Sequence, residues 1–187
     1  MSVTTVSSSM ITDATILNAD IGAAAAIATT KLGAGSVVQI VNVQDGDVAA
    51  STALIPHDAT VPQITEGAEF MTLAITPTST SNKLKIDVVA IMTSNAATNW
   101  LIGSLFNTDF HSTNAIKTMQ EWHDTINTGA VMGFTVFMDA PTTSATTFRF
   151  RAGSRDSGTT TFSGSNSSAN FGDGHLVSSM TITEIKV

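Results

Sequence analysis

Four histidines and fifteen acidic residues are the first places to look for chemistry in this chain of 187 residues. Two pairs, His57-Asp58 and His123-Asp124, are adjacent in sequence. Neighbours in a strand point to opposite faces, so neither pair by itself makes a ligand set or a base with its orienting carboxylate. The spacings of a zincin, a Ser-His-Asp elbow and an EF-hand are missing. Asp45-Gly46-Asp47 and Asp173-Gly174-His175 read first as turns, with an acidic cation-binding loop as the minor reading. In a trimer a single His or Asp near the axis becomes three, but no residue stands out for that role. No catalytic residue, metal set or cofactor is assigned, and the chain is read as non-enzymatic.

Arg149, Arg151 and Arg155 form the one basic cluster of the sequence. Pairing with acids such as Glu121 or Asp139 on a neighbouring strand or subunit is favoured over an anion or glycan site. Trp100 and Trp122 are expected in a core or an interface rather than as sugar platforms, and exposure of either at a distal tip would favour a glycan. The longest polar excursions run from Asn107 to Asn114 and from Ser154 to Asn170. Function on β-sandwiches usually sits on such loops. Asn107, Asp109, His111, Asn114, Arg155, Asp156, Asn166 and Asn170 are therefore the candidate surface-recognition residues.

The elements that must position these residues are announced by composition. Charged residues make up 12%, about half the usual share, while the chain carries 30 Thr and 20 Ser. Thr favours strands, and Ser/Thr turns replace charged loops, so the balance indicates an all-β protein. A net charge of −7 and a pI near 4.7 disfavour nucleic acid or an anionic membrane as partner. Without Cys there is no disulfide framework or thiolate metal site, and stability must come from packing or assembly. No apolar run approaches the ~18 residues of a membrane span, so no membrane insertion is expected. The start MSVTTVSSSM lacks the basic and apolar regions of a secretory signal, which points to synthesis in a cytoplasm. Tyr is absent while Gly, Ser, Asn and Thr abound, a bias that suits a particle surface better than a metabolic enzyme.

Two regions follow, 1–35 and 36–187. In the first, Ile11, Ile16, Ile21, Ile27 and Leu32 recur at steps of five, five, six and five. Neither a helical face nor a strand has that period. A sparse row of aliphatics among Ala, Gly and Thr makes sense if several copies wind about one axis, each side chain meeting its equivalents. These five residues are the candidate trimer core of an extended stalk. Gly33-Ala34-Gly35 reads as the hinge into the second region. There, strands are expected over 36–43, 51–56, 69–76, 83–93, 100–107, 115–123, 129–140, 146–153 and 176–187, with a short one near Thr161. Lys83 to Thr93 is the clearest, placing Leu84, Ile86, Val88, Ala90 and Met92 on one face. In 69–76 the inward set is Met71, Leu73 and Ile75, with Phe70 on the opposite face. Eight to ten short strands with a turn about every ten residues mark a β-sandwich or jelly roll, with the last strand central to its sheet.

The N-terminal ITDATILNADIGAAAAIATTKL resembles the segment found ahead of the head domain in many bacteriophage tail-fibre and virion structural proteins. SVVQIVN, PQITEGAEFMTLAITPTSTSNKLKIDV, PTTSATTFRFRAGS and FGDGHLVSSMTITEIKV resemble, in order, the recurring C-terminal domain of those proteins. The resemblance covers nearly the whole chain and implies a homotrimeric fibre with a jelly-roll-like head, located on a virion. It implies anchorage to tail adaptor, nozzle or capsid proteins through residues 1–32. Long fibre proteins carry these segments after hundreds of residues, so here the N-terminal segment itself is expected to attach to the virion. Recognition of a host-surface glycan or protein by a tail fibre is the favoured role. A capsid-surface head fibre, decoration or connector protein is the alternative, and a glycan depolymerase, which needs paired carboxylates in a groove, ranks last.

Overall fold

The computed structural model describes residues 31–110, 113–165 and 176–187. The chain divides into two units, Met1–Leu32 and Gly33–Val187, and the fold is that of the second. Of the expected stalk residues, Leu32 is half-buried, while Ile11, Ile16, Ile21 and Ile27 lie outside the described residues.

Strand β4 (Lys83–Ser94) organises the first sheet. Its alternating Leu84, Ile86, Val88, Ala90 and Met92 are at most 1% exposed, the set expected from the sequence. β7 (Gly129–Asp139) runs antiparallel along one edge of β4. Along the other edge β10 (Ser178–Ile185) pairs with Lys83 to Val89, and short β9 (Thr160–Phe162) continues the ladder at Met92 to Ser94. β1 (Val37–Asp45) then pairs with β10, and β2 (Ala49–Ser51) with β9. The second sheet has the order β3 (Ala68–Ile75), β8 (Thr146–Ser154), β5 (Asn99–Phe106), β6 (Lys117–His123). Setting aside the short β2 and β9, the main strands in chain order are arranged 1-8-3-6 and 2-7-4-5. That is a jelly roll: two Greek keys folded into facing sheets. β10 is interior to its sheet, as expected.

Between the sheets lie Ile86, Val88, Leu101, Leu105, Met132, Phe148, Phe150 and Met180, nearly all solvent-free. Each such side chain contributes roughly 1.5–3 kcal/mol by leaving water. Two expectations fail locally. The register of β3 against β8 shifts between Glu69 and Met71, and this bulge turns Phe70 toward the core, where its ring stacks on Phe162 at 5.1 Å. The strand expected at 51–56 is reduced to the end of β2 and one parallel bridge, Leu54↔Ser154. The backbone there crosses over the end of β8 so closely that a Cβ on Gly153 would lie 2.5 Å from the Ala53 carbonyl oxygen.

At one end of the sandwich the inward row of β10 finishes on a carboxylate, Glu184, with no solvent exposure. It accepts hydrogen bonds from Gln39 Nε2 (2.6 Å), Asn82 Nδ2 (2.6 Å), the Thr78 hydroxyl (2.8 Å) and the Thr78 N–H (2.9 Å). Desolvation raises its pKa, but these four donors outweigh it and hold the group below the ordinary glutamate value.

Candidate functional site

On the outer face of the second sheet, β5 and β6 oppose Trp100 with Trp122, Ile102 with Gln120, and Ser104 with Thr118. Alternation requires this, because Leu101 and Leu105 belong to the core. The chain's two tryptophans therefore meet, ring centroids 5.2 Å apart and edge to face at 66°. The exposed His57 ring lies flat on Trp100, 5.3 Å away and within 7° of parallel. Trp122 remains 39% exposed, and its Nε1–H donates to the Asp124 carboxylate at 2.6 Å. The Arg155 guanidinium sits 5.9 Å from the Trp122 ring centre and is paired with Asp156.

Local structure explains how these groups converge. The segment carrying His57 is tied down by Ile55 N–H to Ser154 C=O (3.1 Å) and Gly67 N–H to Leu54 C=O (2.8 Å), with Ile55 fully buried. Gly67 has φ +62°, and any Cβ there would strike the Ile55 side chain at 2.8 Å. Arg155 is placed by its N–H on the Trp100 carbonyl (2.9 Å), and Asn99 Nδ2 holds the following turn through the Ser157 carbonyl (3.0 Å).

Beside this stack the loop leaves a cleft of about 150 Å³. Its apolar facets are Pro56, Pro62 and Ile102; its polar ones are His57, Asp58, Thr60, Thr118 and Gln120. Asp58 accepts from the Thr60 hydroxyl (2.6 Å) and N–H (2.7 Å), and these bonds, with a smaller contribution from His57, hold its carboxyl below the usual aspartate value. The carboxylate is thus ionised and fixed in direction. The cleft offers acceptors, donors and small apolar facets side by side, which suits noncovalent recognition of a ligand of mixed polarity.

The expected recognition residues divide. Arg155 and Asp156 stand in the aromatic cluster. Asn114 is exposed and accepts from Gln63 Nε2 at 2.9 Å. Asp109 is exposed, but its carboxylate accepts from the Thr146 hydroxyl (3.0 Å) and the Thr147 N–H (2.9 Å). Asn107 is a correction: it is fully buried, donates to Thr146 Oγ1 at 2.7 Å and caps the Asp109 N–H at 2.9 Å, so it braces the loop from within. His111, Asn166 and Asn170 lie outside the described residues. Arg149 and Arg151 do pair with an acid, but it is Glu69 on β3 rather than Glu121 or Asp139; Arg151 also donates to the Glu66 and Gly67 carbonyls. Asp139 instead pairs with Lys83. His123 is buried while Asp124 is exposed, so the adjacent pair is indeed split. The sequence reading missed His57, Thr118, Gln120 and Asp124 as parts of one site. The signal available for them was the outward register of Trp100 and Trp122, which needs the pairing of β5 with β6 to be seen.

Among the described residues no cluster of three or more His, Asp or Glu side chains suits a metal ion, and no helix is long and apolar enough to cross a membrane. No protein-family model matches the sequence, and no curated protein matches it. Among solved structures, the infectious bursal disease virus Gx strain chain is similar at 11% identity over 79% of this chain, with a TM-score of 0.46. This chain spans about a third (32%) of that viral chain. The Eiger TNF of S. frugiperda is similar at 9% identity over 79% of this chain and 92% of its own, with a TM-score of 0.43. A chain of Bacillus endospore appendages, described as disulfide-linked pili, is similar at 13% identity over 83% of this chain and 95% of its own, with a TM-score of 0.30.

Proposed function

We propose that this chain is a non-catalytic, homotrimeric fibre protein of a bacteriophage virion, anchored by its N-terminal segment and presenting the jelly roll for recognition of a host surface. The observation that carries the recognition role is the half-exposed Trp100–Trp122 pair, fixed on the outside of a rigid sheet beside a polar cleft. Tryptophans left partly in water on a surface braced by loops are typical anchors of binding sites. Attachment and trimer formation are supported by the spacing of Ile11, Ile16, Ile21, Ile27 and Leu32, too sparse for one polypeptide to bury, and by the resemblance of that segment to those of virion fibres. Three heads per fibre would raise a weak single-site affinity through multivalency.

Sedimentation and native mass measurement of the purified protein test the assembly. A trimer is expected, and Ile16→Asp or Ile21→Asp is expected to weaken it while leaving the head folded, because three like charges would surround one axis. A monomer, or a trimer unchanged by both substitutions, contradicts the stalk. A three-dimensional map of the intact particle then tests attachment: residues 1–32 against tail adaptor or nozzle chains agree with a tail fibre, and residues 1–32 against capsid chains contradict it in favour of a head fibre.

A further inference from the structure

We infer that the cleft beside His57 binds a single neutral pyranose unit of a surface glycan; this rests on the recognition role proposed above and names the ligand of that same site. Size is the first argument. At about 150 Å³ the cleft is small and open on one side, which suits a compact, ring-sized group. Chemistry is the second. Pro56, Pro62 and the His57 ring supply small apolar facets for ring C–H groups, with Ile102 buried at the floor, while Asp58, Thr60, Thr118 and Gln120 stand between them. A pyranose has the same interleaving, with apolar C–H patches and hydroxyls that both donate and accept. The ionised Asp58 is an acceptor for paired hydroxyls, and the exposed Gln120 amide offers both a donor and an acceptor. A wholly apolar ligand would take water from these groups without replacing its hydrogen bonds.

Charge is the third argument. Asp58 is the one charged group that lines the cleft, and the cation of the neighbouring aromatic cluster, Arg155, is already paired with Asp156. An anionic sugar would meet repulsion from a chain whose net charge is −7. Rigidity is the fourth: His57 rests on Trp100, which rests against Trp122, so the aromatic wall is in place before the ligand arrives. A cleft this small and open holds one sugar with a dissociation constant on the order of millimolar, which three copies on one fibre make useful.

Saturation-transfer NMR on the full chain tests the assignment, using the methyl glycosides of glucose, galactose, mannose and N-acetylglucosamine, with glucuronate as the anionic control. At least one neutral glycoside is expected to show transfer that weakens about tenfold or more in Gln120→Ala and in Asp58→Asn, both surface changes whose folding is checked by circular dichroism. Glucuronate is expected to show none. Absence of transfer from every neutral glycoside, or transfer unchanged in both variants, overturns the inference. Competition with phage for host cells, run on the same samples, separates the two proposals. Competition without glycoside binding removes the sugar assignment and keeps the recognition role; glycoside binding without competition supports the cleft and removes the role.

Discussion

The β4–β7 and β5–β6 ladders are built alike and face opposite sides of the molecule. Each is antiparallel, and each alternates so that one face enters the common core. Their outer faces differ. On β4–β7 the outward pairs are Lys83–Asp139, Lys85–Phe137, Asp87–Thr135, Val89–Gly133 and Ile91–Val131, charged at one end of the ladder and apolar at the other. Phe137 and Val131 stand 63% and 66% exposed there. On β5–β6 the outward pairs are Trp100–Trp122, Ile102–Gln120 and Ser104–Thr118, and the segment around His57 lies over them, leaving Ile102 2% exposed. Strand alternation decides which side chains enter the core, whereas a site on the outside arises only where a loop is laid against the sheet.

Substitutions can break or sharpen this contrast. The inner faces should be equivalent: Ile86→Ala on β4 and Leu101→Ala on β5 are each expected to cost about 2–5 kcal/mol in denaturant unfolding. A cost well below that range for either would show that its ladder does not contribute a packed face to the core. Glu184→Ala, at the end of the β4 sheet, should cost about 2 kcal/mol at neutral pH, because it strands the buried Asn82 amide and removes the acceptor of Gln39 and Thr78. Its pH dependence has a definite sign. The folded pKa lies below the ordinary glutamate value of about 4.3, so the carboxylate's contribution is full above that value and fades as pH falls through the lowered one. Glu184→Gln should therefore differ most from the parent at neutral pH and converge with it in acid; a constant difference down to pH 2 would contradict the assigned hydrogen bonds.

On the outer faces the expected effects are smaller. Trp122→Ala loses its contacts with Trp100 and Arg155, about 1–2 kcal/mol by thermal or chemical unfolding. Val131→Ala, at an exposed position of β7, should stay within about 0.5 kcal/mol. If Val131→Ala in the isolated protein costs as much as Trp122→Ala, the β4–β7 face is covered in solution and the contrast between the two faces fails.

Much of the jelly roll was legible in the residues. KLKIDVVAIMT names its own buried face, and Phe148 and Phe150 alternate with Arg149 and Arg151 so plainly that β8 follows directly. Phe70 was not legible, because a bulge adds one residue to β3 and no local signal announces the shift. Asn107 looked like the start of a surface loop, since its type favours turns; in the fold that preference is spent on capping Asp109 from a buried position. Glu184 sits at an inward position that the alternation of β10 specifies, but its acceptability depends on donors from Gln39, Thr78 and Asn82, all of them more than a hundred residues away in sequence. The site was least visible. His57, Trp100, Gln120 and Arg155 come from four separate stretches, and only the pairing of β5 with β6 and the crossing of a loop bring them together.

Host adsorption in the presence of the purified protein tests the central claim most directly. The parent protein is expected to compete with the phage in a dose-dependent way, and Trp122→Ala, folded and trimeric by the same assays, is expected to lose most of that competition. A parent protein that leaves adsorption unchanged, or a Trp122→Ala variant that competes as well as the parent, would contradict the assignment of recognition to this face.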